Sequence, residues 1–168
     1  MSGERLHAEW VRSWSERADA ALTNMMKSFL STHGFPPGHN AVMLATDESH
    51  AATGALVDLT PIPSDLTTLY WVISEASLPD VDFGYFIHSP ATVAEHFRGY
   101  GPAPIGGESV ALVFAGDGGG HLFAIGDSGR VWMSTTASWS DDFEVAAPSL
   151  QEFLEQLGRR IANRRLVP

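Results

Sequence analysis

Apolar residues recur at intervals of three and four through the first thirty positions, as Leu6, Trp10, Trp14, Ala18, Ala21, Leu22, Met25 and Phe29 with charges between them. That period predicts one long amphipathic helix, ended by Gly34. Its two tryptophans suit either core packing or a partner-helix surface, and helical spacing favours the core. After the Phe35-Pro36-Pro37-Gly38 turn, Ala41 to Thr46 and Gly54 to Leu59 read as two strands of a hairpin, with Asp47, Glu48 and His50 in the polar loop at its tip. Pro61 and Pro63 break the chain, and Ser64 is placed to cap a helix with Leu66, Leu69, Tyr70 and Ile73 inward, ended before Pro79. Phe83 to His88 is a short aromatic strand. Ser89 as N-cap and Pro90 at the first helical position then open a helix running to about Arg98.

The C-terminal third alternates strand and turn. Val110 to Ala115 is an apolar run, Gly116-Asp117-Gly118-Gly119-Gly120 turns the chain into His121 to Ile125, and Asp127-Ser128-Gly129 turns it into Arg130 to Thr135. A fourth strand, Phe143 to Ala147, precedes Pro148, and Ser149-Leu150-Gln151-Glu152 has the form of a capping box before a helix with Phe153, Leu154, Leu157 and Ile161 inward. Inner strands such as Ala111-Leu112-Val113-Phe114 are apolar on both faces, so each face needs a cover. The first and last helices are the expected covers.

The elements add up to an α+β chain with a largely antiparallel or mixed sheet flanked by N- and C-terminal helices. The Gly99 to Gly107 loop is too short to separate domains, so one domain is expected over 1–168, with a helix at 1–33, helices and strands at 34–107, and antiparallel strands plus a helix at 108–168.

Charge narrows the function classes. The chain has 168 residues and a net charge of −10, with no run of about 18 apolar residues that would cross a membrane. Glu4, Arg5, Glu9, Arg12, Glu16 and Arg17 interrupt any signal-peptide core, and no cysteine is present, so a cytoplasmic protein without thiolate chemistry is expected. Acids and bases balance up to residue 27, whereas from 28 to 157 the only bases are Arg98 and Arg130. Such an acidic body repels nucleic acid and anionic lipid and steers basic partners, or serves solubility alone. Arg159, Arg160, Arg164 and Arg165 suit the C-terminal dipole of the last helix better than a nucleic-acid site.

From Glu108 to Leu157 the chain resembles the SUKH superfamily, which contains Smi/Knr-type fungal cell-wall regulators and many bacterial immunity proteins. The resemblance rests on the Gly116 to Gly120 turn, His121-Leu122-Phe123-Ala124-Ile125, Gly129-Arg130-Val131, and Val145 through Leu154, with Pro63-Ser64-Asp65-Leu66 and Leu69-Tyr70 resembling the family's early helix. The glycine pair common after that helix is replaced by Ala76-Ser77-Leu78-Pro79-Asp80. The resemblance implies a mixed sheet flanked by helices, no cofactor and, for bacterial members, neutralisation of a toxin by direct binding. The alternative it implies is a regulatory scaffold with no toxin partner.

Catalytic and metal constellations are not found in the sequence. The Gly116 to Gly120 loop lacks the following helix a phosphate cradle needs. Asp117, His121 and Asp127 are the nearest approach to an acid/base or metal cluster, but their spacing matches no known site, and a hydrolase built on Asp117 and His121 requires them to converge in a cleft. No glycine-x-serine-x-glycine elbow occurs, and the seven histidines show no ligand spacing on one helix face. The expectation is a protein that binds and does not catalyse. Its candidate partner-binding residues are Asp47 and Glu48, Asp80 and Asp82, and Asp141, Asp142 and Glu144 beside Trp139 and Phe143, since aromatics give affinity at an interface and charge gives on-rate. Trp139 has the alternative of packing in the core. The expected partner is a basic toxin domain, a nuclease or deaminase.

Overall fold

The computed structural model describes residues 5–137 and 142–162. Helix α1 (Ala8–His33) is followed by β1 (Ala41–Leu44), α2 (Asp47–Leu59), α3 (Ser64–Val72), β2 (Ile73–Leu78), β3 (Tyr85–Ile87) and α4 (Pro90–Tyr100). Strands β4 (Ala111–Asp117), β5 (Leu122–Gly126), β6 (Val131–Ser134) and β7 (Phe143–Ala147) lead to α5 (Leu150–Ala162). The seven strands form one sheet in chain order, and every neighbouring pair is antiparallel. The chain is therefore α+β with an antiparallel sheet, flanked by its N- and C-terminal helices.

The α1 stripe is core. Val11, Trp14, Ala18, Leu22, Met25 and Phe29 are buried, and Gly34 ends the helix in the left-handed conformation at φ 79, where a side chain would be strained. Trp14 Nε1 donates to the Leu154 carbonyl at 2.7 Å, fastening α1 to α5. Gly158 of α5 permits the approach, because a Cβ there would stand 3.0 Å from the indole nitrogen.

Three local expectations are overturned. Gly54 to Leu59 is not a strand, and no hairpin joins it to β1: residues 47–59 are helix α2, so Asp47 and Glu48 lie in a first helical turn and not at a hairpin tip. The cause is Thr46, whose side chain accepts from the Ser49 amide at 3.1 Å while Ser49 Oγ accepts from the Thr46 amide at 2.8 Å, a complete capping box. Ile73 is the second case. Helix α3 stops at Val72 and passes without a break into β2, where Ile73, Ala76 and Leu78 turn inward. Pro63, not Ser64, holds the N-cap position of α3.

The two terminal helices do not cover opposite faces. Val11, Trp14 and Leu22 of α1 share one buried cluster with Leu150, Phe153 and Leu157 of α5 and with Leu112, Phe114, Phe123, Ile125 and Val131 from one face of the sheet. The other face is covered by a loop instead, where Ala103 and Ile105 pack on Ala111, Val113 and Ala124. Glu108 holds this loop down, accepting from Trp132 Nε1 at 2.8 Å and Ser128 Oγ at 2.7 Å. The connections at the two ends of the sheet then decide which loop residues meet.

Candidate functional site

In an antiparallel meander alternate connections fall at the same end of the sheet. The β2–β3, β4–β5 and β6–β7 connections therefore share one end, and they carry Asp80, Asp82 and Asp142, with Asp117 the last residue of β4 and Glu144 one residue inside β7. Helix α5 runs toward this end and delivers Arg160, which pairs with Asp82 at 3.1 Å. Trp139 and Asp141 lie outside the described residues.

The turns are held together by backbone. Gly118 donates to the Gly84 carbonyl at 3.0 Å, joining the β2–β3 and β4–β5 turns. Asp82 sits at φ 49, a left-handed conformation that Asp tolerates better than most residues. Phe83 beside it is 84% exposed, the largest value among the described large apolar residues. An aromatic ring in that position is held in water by its turn and covers nothing. Asp80 acts locally. Its Oδ2 accepts from the Gly38 amide and from Asn40 Nδ2, both at 2.7 Å, and its own amide donates to Asn40 Oδ1 at 3.0 Å. It ties the segment before β1 to the β2–β3 turn through Oδ2.

Asp117 and His121 do converge. His121 Nδ1 lies 3.1 Å from Asp117 Oδ2, and since a carboxylate only accepts, Nδ1 carries the hydrogen. Asp117 Oδ1 also accepts from the Gly119 and His121 amides, as a turn-forming Asp does. The hydrogen bonds of the imidazole among the described residues all go to Asp117, and His121 is not among the residues that line the cavity beside Asp117. Asp127 stands at the opposite end of the sheet, where the Val110 and Ser109 amides hold its carboxyl below the usual range. The three residues form no joint cluster, and no group of three or more metal-binding side chains occurs among the described residues.

Beside the acidic turns, under the second half of α5, lies a cavity of about 320 Å³. Phe123, Met133, Phe153 and Leu157 give it apolar walls, and Tyr85, Asp117, Gln156 and Arg160 supply the polar groups. The Arg160 guanidinium lies 5.6 Å from the centre of the Tyr85 ring. Burial raises the Tyr85 hydroxyl pKa, and Arg160 opposes that shift.

Asp47 and Glu48 are not part of this assembly. They are exposed at the opposite end of the sheet, in the first turn of α2, where acids suit the helix dipole. One turn on, His50 stacks on the exposed Trp71 at 4.3 Å and 14°. Phe83, which the sequence pattern assigns to a strand, belongs instead to the β2–β3 turn. The Pro79-Asp80-Val81-Asp82-Phe83-Gly84 composition, dense in turn formers, is the signal that marks it. The meeting of Arg160 with Asp82 and Tyr85 has no sequence signal.

No protein-family model matches the chain, and neither does any curated protein. Among the described residues no helix is long and apolar enough to cross a membrane.

Proposed function

We propose that the chain is a non-catalytic, SUKH-like protein-binding domain that works without a cofactor, and that its acidic end neutralises a basic toxin domain, a nuclease or deaminase, by covering its substrate groove. The observation that carries this reading is the position of Phe83. A ring exposed at 84% between Asp82 and the Asp117 turn is an aromatic anchor within a field that attracts cations. The same field disfavours nucleic acid and anionic lipid as partners. Cytoplasmic residence accords with a toxin met inside the cell.

The experiment is calorimetric titration against the toxin-like protein encoded beside this one. Tight binding that weakens as salt rises is expected. Phe83→Ala should cost about 2 kcal/mol, the scale of an interface hot spot, and Glu144→Lys should slow association. Absence of binding, or affinity indifferent to both substitutions, removes the reading. A chain with no toxin gene beside it that binds a host protein through Phe83 is instead a regulatory scaffold of the Smi/Knr type.

A further inference from the structure

The cavity under α5 has a charge asymmetry that specifies its guest. Arg160 at the rim is already matched by Asp82 at 3.1 Å, whereas the partner of Asp117 among the described residues is His121 at 3.1 Å and no lysine or arginine. The Gly119 and His121 amides take its Oδ1, and Oδ2, bonded to His121 Nδ1, is the oxygen with an acceptor position to spare. The side chain of Asp117 is mostly buried and lines the cavity, so its charge is little screened by water. The walls next to it are aromatic, with the Phe123 and Phe153 rings 5.1 Å apart. Carboxylate and aromatic faces together favour a cation, and the apolar lining favours an aliphatic stem. The rim provides an internal precedent, since Arg160 itself rests against the Tyr85 ring with a carboxylate at its head.

We infer that this cavity is a socket for one basic side chain of the partner, its alkyl stem lying against Phe123, Phe153 and Met133 and its cationic head on Asp117. The identity of the guest rests on reading this end as a protein-binding surface; the preference of the cavity for alkyl cations does not. The socket adds selectivity that a charged surface lacks, because a carboxylate in a lined cavity discriminates by reach and shape as well as by sign.

The test uses n-butylguanidinium as probe and its neutral isostere n-butylurea as control, followed by NMR on the full chain. The Met133 methyl and Ala146 amide signals should shift saturably with a millimolar Kd for the cation, the range open to so small a ligand. Butylurea should bind at least about tenfold more weakly, and Asp117→Asn should weaken the cation by about tenfold, the scale of one lost charge-assisted hydrogen bond. Gln156→Trp and Val145→Trp, both at the cavity rim, should abolish the shifts while leaving the fold intact. No saturable shift, equal binding of butylurea, or binding unchanged by both tryptophans overturns the socket. If the cation binds as described and the toxin does not, the partner reading alone falls. If the toxin binds and ignores both tryptophans, the socket alone falls.

Discussion

Gly118 packs so closely on Phe83 that a Cβ on the glycine would overlap the Phe83 carbonyl oxygen. The backbone conformation of Gly118 is not left-handed, so the demand is steric and comes wholly from the neighbouring turn. Gly118→Ala should push the β2–β3 turn away from β4, break the Gly118 to Gly84 hydrogen bond and cost about 1–3 kcal/mol. Amide shifts confined to residues 80–84 and 117–121, with a lowered urea midpoint, are expected. An unchanged midpoint would mean that the two turns do not touch, and the shared acidic end would lose its rigidity.

Trp14 fastens the two terminal helices by a buried hydrogen bond to the Leu154 carbonyl. Trp14→Phe keeps an aromatic ring in place and removes the donor. The Leu154 carbonyl still has its helical partner position, so no acceptor is stranded, and a loss of about 1–2 kcal/mol in urea unfolding is expected. Gly158→Ala crowds the indole but gains about 1 kcal/mol of helix propensity, so its net loss should be smaller than that of Trp14→Phe. If Trp14→Phe matched the wild type, α1 would be attached by apolar contact alone.

The legible parts of the fold are those where a local signal and tertiary packing agree. The α1 stripe ends at Gly34, and the Asp117 and Asp127 turns mark the hairpins of β4, β5 and β6. Residues 54–59 mislead because Gly54, Val57 and Leu59 read as a strand, whereas the deciding interaction is the Thr46 and Ser49 capping box upstream. Ile73 misleads because its spacing from Leu69 fits a helix, and no glycine or proline marks the passage from α3 to β2. For the site, acidity is visible in the sequence but assembly is not. Asp80, Asp82, Asp142 and Glu144 share an end only because the strands run as an unbroken meander, which is a property of topology. Asp47 and Glu48 are separated from them by the same topology.

Glu108 is the clamp of the loop that covers the second face of the sheet. Its carboxylate receives Trp132 Nε1, Ser128 Oγ and the Ser128 amide at 3.2 Å, so one side chain joins the covering loop to the β5–β6 turn and to β6. Glu108→Ala should cost about 1–3 kcal/mol, because hydrogen bonds to a charged acceptor are stronger than neutral ones. It should also increase the exposure of Trp132 and shift its fluorescence to the red. Glu108→Gln should retain the Trp132 bond and lose less. Equal losses for the two substitutions would assign the effect to the carboxylate's charge and second oxygen rather than to packing or the Trp132 bond.

His88 should make stability fall on the acid side. Burial is the main cause and His96, whose ring lies 5.4 Å away, the second; together they push the His88 pKa from 6.5 down to about 4. The folded state therefore resists a proton that the unfolded chain accepts. Between about pH 6.5 and pH 4 the unfolded state binds more protons, so stability declines as pH drops through that window and the decline from this group is complete below about pH 4. The full shift corresponds to at most about 3 kcal/mol, reduced by the solvent that reaches the partly exposed ring. His88→Gln removes the titrating group and should flatten this part of the profile. Urea unfolding at pH 7 and pH 4 should show the wild type losing on the order of 1–3 kcal/mol more than His88→Gln. Parallel losses in the two proteins would place the acid sensitivity in other groups.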